Sequence, residues 1–227
     1  MLTKEDLIYT TTKIVKVLYN NKEIEYKAST GFFYKTTSEN YYLISNKHFY
    51  KDAKEIMFRI LVDRNGDIGE CQMKMNVTPI THSNYDLGVI CINSVIDKLK
   101  IDNVTIINKI ITKEDIVPLT NKNFSSIEDA IIIGHPNGED YGYCHMPFIK
   151  RGVISTPLFL TYNDENDFIL DCFNIEGSSG SPVFVCKKDI FYLVGIQKEI
   201  RRIDRTNENT GTSVCIKSSV IRDFMEN

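Results

Sequence analysis

Gly177-Ser178-Ser179-Gly180-Ser181-Pro182-Val183 runs directly into the apolar pair Phe184-Val185 and follows Asp171-Cys172-Phe173-Asn174-Ile175-Glu176. A Gly-x-Ser-Gly bend that enters an apolar strand can present a hydroxyl at an exposed turn. Backbone N–H groups crowded beside it can receive the negative charge that grows when a hydroxyl attacks a carbonyl. Glycine on either side permits a close backbone approach that a side chain would block. Gly/Ser runs also make ordinary loops, so the reading depends on what the chain supplies upstream.

Two upstream segments supply the other parts. His48 ends Tyr41-Tyr42-Leu43-Ile44-Ser45-Asn46-Lys47-His48, where an apolar run gives way to small and polar residues. Asp86 sits in Ser83-Asn84-Tyr85-Asp86-Leu87-Gly88-Val89-Ile90, where a polar loop hands over to an apolar strand. A rigid sheet edge can aim both groups. The chain order His48, Asp86, Ser179 is one of the orders in which a nucleophile, a base and an orienting carboxylate recur. Rivals have weaker settings. Ser178 and Ser181 flank Ser179 without its paired glycines, His82, His135 and His145 read as loop histidines, and Asp63, Asp67 and Asp97 lack the following apolar strand.

With these residues in view, the chain resembles a trypsin-like serine peptidase of the chymotrypsin fold. It is closer to bacterial stand-alone and HtrA-type protease domains than to secreted digestive enzymes. The resemblance runs from about Ala28 to Phe224. It is carried by Thr30-Gly31-Phe32-Phe33-Tyr34, Ile44 through His48, Asp86-Leu87-Gly88-Val89, Gly134-His135-Pro136-Asn137-Gly138, Gly177 through Val183 and Leu193-Val194-Gly195-Ile196. It implies an all-β fold of two six-stranded antiparallel Greek-key barrels with a short C-terminal helix. Residues 1–118 would carry His48 and Asp86, and residues 119–227 would carry Ser179. It further implies a Ser179–His48–Asp86 triad, an oxyanion hole from the N–H groups of Gly177 and Ser179, and an acyl-enzyme route needing no metal or organic cofactor. The partner would be a protein or peptide substrate.

Composition sets the outer limits. The 227 residues suffice for one sizeable core or two small ones. A net charge of −3 gives no broad electrostatic reason to bind nucleic acid or an anionic membrane. No apolar run approaches the ~20 residues a spanning helix needs. Met1-Leu2-Thr3-Lys4-Glu5-Asp6 has neither the basic nor the apolar region of a secretory signal, so the expected location is cytoplasmic. The six cysteines (71, 91, 144, 172, 186 and 215) are scattered, several beside apolar strand residues, and read as free thiols. Neither Cys-x-x-Cys nor His-Glu-x-x-His occurs, and no metal site is expected.

Strand patterns dominate. Residues 14–19 and 22–26 flank Asn20-Asn21, which reads as a hairpin turn. Further strands are expected at 30–36, 41–46, 55–62, 68–77 and 87–92. A crossover follows at 104–118, and then strands at 129–134, 141–147, 150–156, 167–173, 182–187, 190–197 and 212–216. Ser218 reads as the N-cap of a terminal helix over 219–225. Lys198 through Arg205 is mixed in charge and reads as a solvated hairpin.

Departures from the family pattern refine the expectation. Digestive members carry an aspartate just before the serine to bind a freed N-terminus, and here that residue is Ser178. The family position at the base of the specificity pocket falls on Phe173, and the opposite wall on Lys198-Glu199-Ile200. Cleavage after an uncharged P1 residue of small or medium size is therefore expected. A catalytically weak binding module and a viral-type processing protease are the competing readings. Only a short helix follows Cys215, so no appended peptide-binding domain is expected.

Overall fold

The computed structural model describes residues 1–20, 23–64, 66–142, 144–163 and 165–227. The N-terminal unit runs through β1 (Thr11–Asn20), β2 (Glu23–Lys35), β3 (Tyr41–Ser45), the one-turn helix α1 (Lys47–Tyr50), β4 (Glu55–Arg64) and β5 (Asp67–Asn76). It continues with β6 (Ile80–Thr81), β7 (Gly88–Cys91), α2 (Asn93–Ile101) and β8 (Thr105–Ile106). These strands form one antiparallel sheet in the order β5-β4-β1-β2-β3-β7-β6, with β8 paired to β4. The C-terminal unit comprises β9 (Glu128–Gly134), β10 (Phe148–Ile154), β11 (Asp167–Asp171), β12 (Pro182–Lys187), β13 (Ile190–Arg202) and β14 (Asn209–Lys217). They close into a six-stranded barrel, β10-β11-β14-β13-β12-β9, and α3 (Ser218–Glu226) ends the chain. An all-β fold with a closed six-stranded barrel, a second sheet and a short terminal helix is as expected. The first unit has eight strands because two short pairings, β6 and β8, extend its sheet.

The pleat explains why the core strands are apolar on both faces. Side chains alternate across a strand, so Phe33, Leu43 and Ile90 point into the first sheet's own core. Their neighbours Phe32, Ile44 and Val89 point the other way, into a seam core. The barrel repeats the pattern. Ile132, Val183 and Val185 fill its interior, while Ile133 and Phe184 face the seam. Val220 and Ile221 of α3 bury themselves in the same seam. Such double burial yields unbroken apolar runs rather than simple alternation. At ~1.5–3 kcal/mol for each large apolar side chain, the seam core is strong enough to fix the two units against each other.

Several local expectations change. Asn21 and Lys22, on which the expected hairpin turn partly falls, lie outside the described residues. A turn at Asn20-Asn21 would set Lys16 opposite Glu25, whereas the observed register sets Lys16 opposite Lys27. Of 141–147, the described residues form a turn instead of a strand: Gly142, Cys144 and His145 all have positive φ. That leaves only the bridge Tyr141–Met146. Helix α2 was not foreseen; Ile96 and Leu99 anchor it in the first core. Ser218 is the first helical residue rather than the cap, because Lys217 is still extended and paired with Gly195.

Candidate active site

The register of β3 on β7 brings His48 and Asp86 together. Ser45 pairs with Gly88, so the residues just past the end of β3 meet those just before β7. Asn46, fully buried, donates its side-chain amide to the Asp86 carbonyl at 3.0 Å. The His48 backbone N–H then donates to Asp86 Oδ1 at 2.8 Å, and His48 Nδ1 lies 2.6 Å from Oδ2. Burial pushes the Asp86 carboxyl up, but the bonds and charge of His48, with Lys198 beyond, outweigh it and hold the group below the ordinary aspartate range.

The serine loop is held by the other unit. The Ser179 carbonyl accepts from the Thr30 N–H at 3.0 Å and from Ser29 Oγ at 2.7 Å, both on β2. Thr30 Oγ1 donates to the Gly177 carbonyl at 3.1 Å. Gly180 has φ +84°, and a Cβ there would lie 2.0 Å from the Thr30 carbonyl oxygen. Gly177 has φ +85°, and a Cβ there would lie 2.6 Å from the Asn137 nitrogen. Both positions therefore need glycine for conformation and for space.

Of the three serines in the loop, Ser178 and Ser181 are buried. Ser179 alone among them lines a cavity of about 650 Å³ at the seam, together with His48, Asp86, Gly177, Lys198 and Glu199. Its Oγ donates to the Lys198 carbonyl at 3.3 Å, so its hydroxyl is turned toward β13 and not to the imidazole. The N–H groups of Ser178, Gly180 and Ser181 donate to Ile175, Gln197 and Ser178 carbonyls respectively. Those of Gly177 and Ser179 have no such acceptor among the described residues. The Glu176 carbonyl accepts from the Asn137 N–H at 2.6 Å. In a trans peptide the C=O and the next N–H point oppositely, so the Gly177 N–H faces away from Asn137.

The other histidines are engaged elsewhere. His82 Nδ1 accepts from the N–H groups of Asn84 and Tyr85. His135 is buried, and His145 sits between Asp140 and Glu70. Of the four wall residues, Lys198, Glu199 and Ile200 line the cavity and Phe173 does not. Phe173 is 62% exposed, since the chain past β11 alternates and buries Cys172 and Asn174 instead. Sequence reading missed Ser29 and Thr30, which hold the loop, and Lys16 and Lys27, which line the cavity beside Phe49. The hairpin register would have revealed the lysine pair. Lys198 also reaches the buried Asp167, Nζ to Oδ2 3.1 Å. Burial, with the nearby Glu165 adding to it, raises the Asp167 carboxyl despite that partner.

Among the described residues, no cluster of three or more His, Cys, Asp or Glu is placed to hold a metal ion. No helix among them is long and apolar enough to cross a membrane.

Comparison with solved structures finds the same fold. An HtrA-type protease, AlgW, solved with a decapeptide, is similar with a TM-score of 0.57 at 14% identity over 97% of this chain. The chain spans 64% of that protein's length. The Rv3671c protease from M. tuberculosis, in its active form, is similar with a TM-score of 0.57 at 10% identity, covering 96% of this chain and 79% of that one. No curated protein matches the sequence. The sequence pattern described as "Trypsin-like peptidase domain" matches residues 29–196, a span that takes in His48, Asp86 and Ser179. The chain belongs to the trypsin-like peptidase family.

Proposed function

We propose that the chain is a serine endopeptidase acting through Ser179, His48 and Asp86. The observation that carries this reading is the double contact of His48 with Asp86 at the mouth of a cavity shared with Ser179. Asp86 holds the imidazole with Nδ1 toward it, leaving Nε2 to take the serine proton. Rotation of the Ser179 side chain toward His48 breaks only a 3.3 Å bond to Lys198, which is long for a hydroxyl donor. Serine–base bonds are often loose before substrate binds.

Ser179 Oγ then attacks the scissile carbonyl as His48 takes its proton. The carbonyl oxygen moves into the space faced by the Gly177 and Ser179 N–H groups, each worth about 3–4 kcal/mol in the transition state. Collapse of the tetrahedral adduct expels the amine, protonated by His48, and leaves the Ser179 ester. Water activated by the same imidazole hydrolyses that ester, so neither metal nor organic cofactor takes part.

The substrate is a protein or peptide, for which the cleft is an open groove. The P1 residue is uncharged, a reading supported by the apolar Ile200 in the cavity wall. Six free thiols support a reducing, intracellular compartment. The test is reaction with a fluorophosphonate and cleavage of a peptide library. Labelling of wild type but not Ser179→Ala, with uncharged residues dominating P1, is expected. A chain that neither labels nor cuts is a binding module instead.

A further inference from the structure

The turn that holds the Glu176 carbonyl is itself held by the opposite unit. Pro136–Gly138 forms one 3-10 turn after β9, with Asn137 at φ 53°. Its upstream end is fixed by the His135 N–H, which donates to Thr30 Oγ1 at 2.8 Å. Its downstream end is fixed by Lys13 of β1. Lys13 Nζ donates to the Gly138 carbonyl at 3.0 Å and forms an ion pair with Asp140. Arg59 and His145 also reach Asp140, at 3.5 and 2.8 Å, and Arg59 links on to Glu70 at 3.2 Å. Lys13 and Asp140 are both largely buried, with side-chain exposures of 17% and 15%. Charges held there gain more from pairing than surface pairs do.

We propose that Lys13 and Asp140 are positioning residues. They clamp the Pro136–Gly138 turn to the first sheet, so that the Asn137 N–H keeps the Glu176–Gly177 peptide turned with its own N–H toward the cleft. The inference rests on the peptidase reading above and adds to it the device that keeps the oxyanion site assembled. Ser178 stands where digestive relatives use an acid to lock this loop, and it is buried with its N–H on Ile175. Among the described residues, the Asn137–Glu176 bond is the backbone contact that holds this peptide. Asp140 sits below the ordinary aspartate range, because the Lys13 and His145 bonds outweigh its burial. The paired state is thus the charged one at neutral pH.

The test compares Lys13→Met, Lys13→Arg and Asp140→Asn with wild type by fluorophosphonate inactivation and by hydrogen–deuterium exchange. In Lys13→Met and Asp140→Asn, kinact falls roughly 10- to 100-fold while KI stays within about threefold, since one oxyanion donor is misplaced and binding is not. Lys13→Arg recovers most of the loss. Exchange rises in peptides covering 134–142 and 174–180 together, with a thermal midpoint within a few degrees of wild type. Unchanged exchange in both segments, or unchanged kinact in both variants, overturns the clamp. Linked exchange in a wild-type chain that never labels overturns the peptidase reading while the mechanical link stands.

Discussion

His48 meets Asp86 through two separate hydrogen bonds, backbone N–H to Oδ1 and ring Nδ1 to Oδ2. One carboxylate therefore fixes both where the imidazole begins and which way it faces. The two oxygens divide the work, because Oδ1 holds the α1 backbone whatever the ring does.

Asp86→Asn keeps the shape but places an amide where the ring needs an acceptor. The expected outcome is a loss of about 10⁴-fold in kcat with folding intact, read from peptide hydrolysis beside a thermal melt. A variant within tenfold of wild type would remove Asp86 from the mechanism.

Gly180 supports a prediction about stability. Any side chain there meets the Thr30 carbonyl oxygen and Ser45 Oγ, at a φ that L residues disfavour. Gly180→Ala should cost at least about 2 kcal/mol, visible as a lowered denaturant midpoint. Labelling should fall with it, because Thr30 also anchors the Ser179 carbonyl.

Acid should weaken the fold through His135. Burial, opposed by its Glu139 carbonyl contact and by Asp140, pushes its pKa down to about 4. The folded chain thus keeps His135 neutral where the unfolded chain binds a proton. The stability this protects is complete above the ordinary histidine value of about 6.5 and is lost as pH falls from there toward about 4. The loss amounts to about 3 kcal/mol. Denaturant melts at pH 7 and 4.5 should show the drop in wild type and much less of it in His135→Leu.

Helix α3 gives a fourth test. Tyr34, fully buried, donates to Glu226 Oε1 at 2.9 Å, while Thr37 donates its N–H and hydroxyl to Oε2. Glu226→Ala leaves the Tyr34 hydroxyl without its acceptor and should destabilise by about 1–3 kcal/mol. A thermal midpoint unchanged from wild type would show that this tie contributes nothing.

Local patterns made much of this legible. The serine loop, the histidine after β3 and the aspartate before β7 each sit where an apolar run meets small residues, and that signal survives without tertiary information. Phe173 failed because counting back from Ser179 fixes a position, not the side of the chain on which its ring emerges. The lysine pair across β1 and β2 was hidden by a two-residue difference in hairpin register. The 141–147 segment, read as a strand, proves to be a turn among its described residues. Its left-handed residues belong to a turn that also pairs His145 with Asp140. Contacts such as Thr30 to Gly177 are over a hundred residues apart, beyond the reach of any local pattern.

The attachment of the serine loop to strand β2 makes that loop joint property of both halves. If the chain were cut within 119–123 and the pieces expressed apart, the serine-bearing piece would lose the Ser29 and Thr30 anchors of its loop. On the proposed peptidase reading, hydrolysis would return only on reassembly, which makes this fold a split reporter whose signal is the reunion of its two parts.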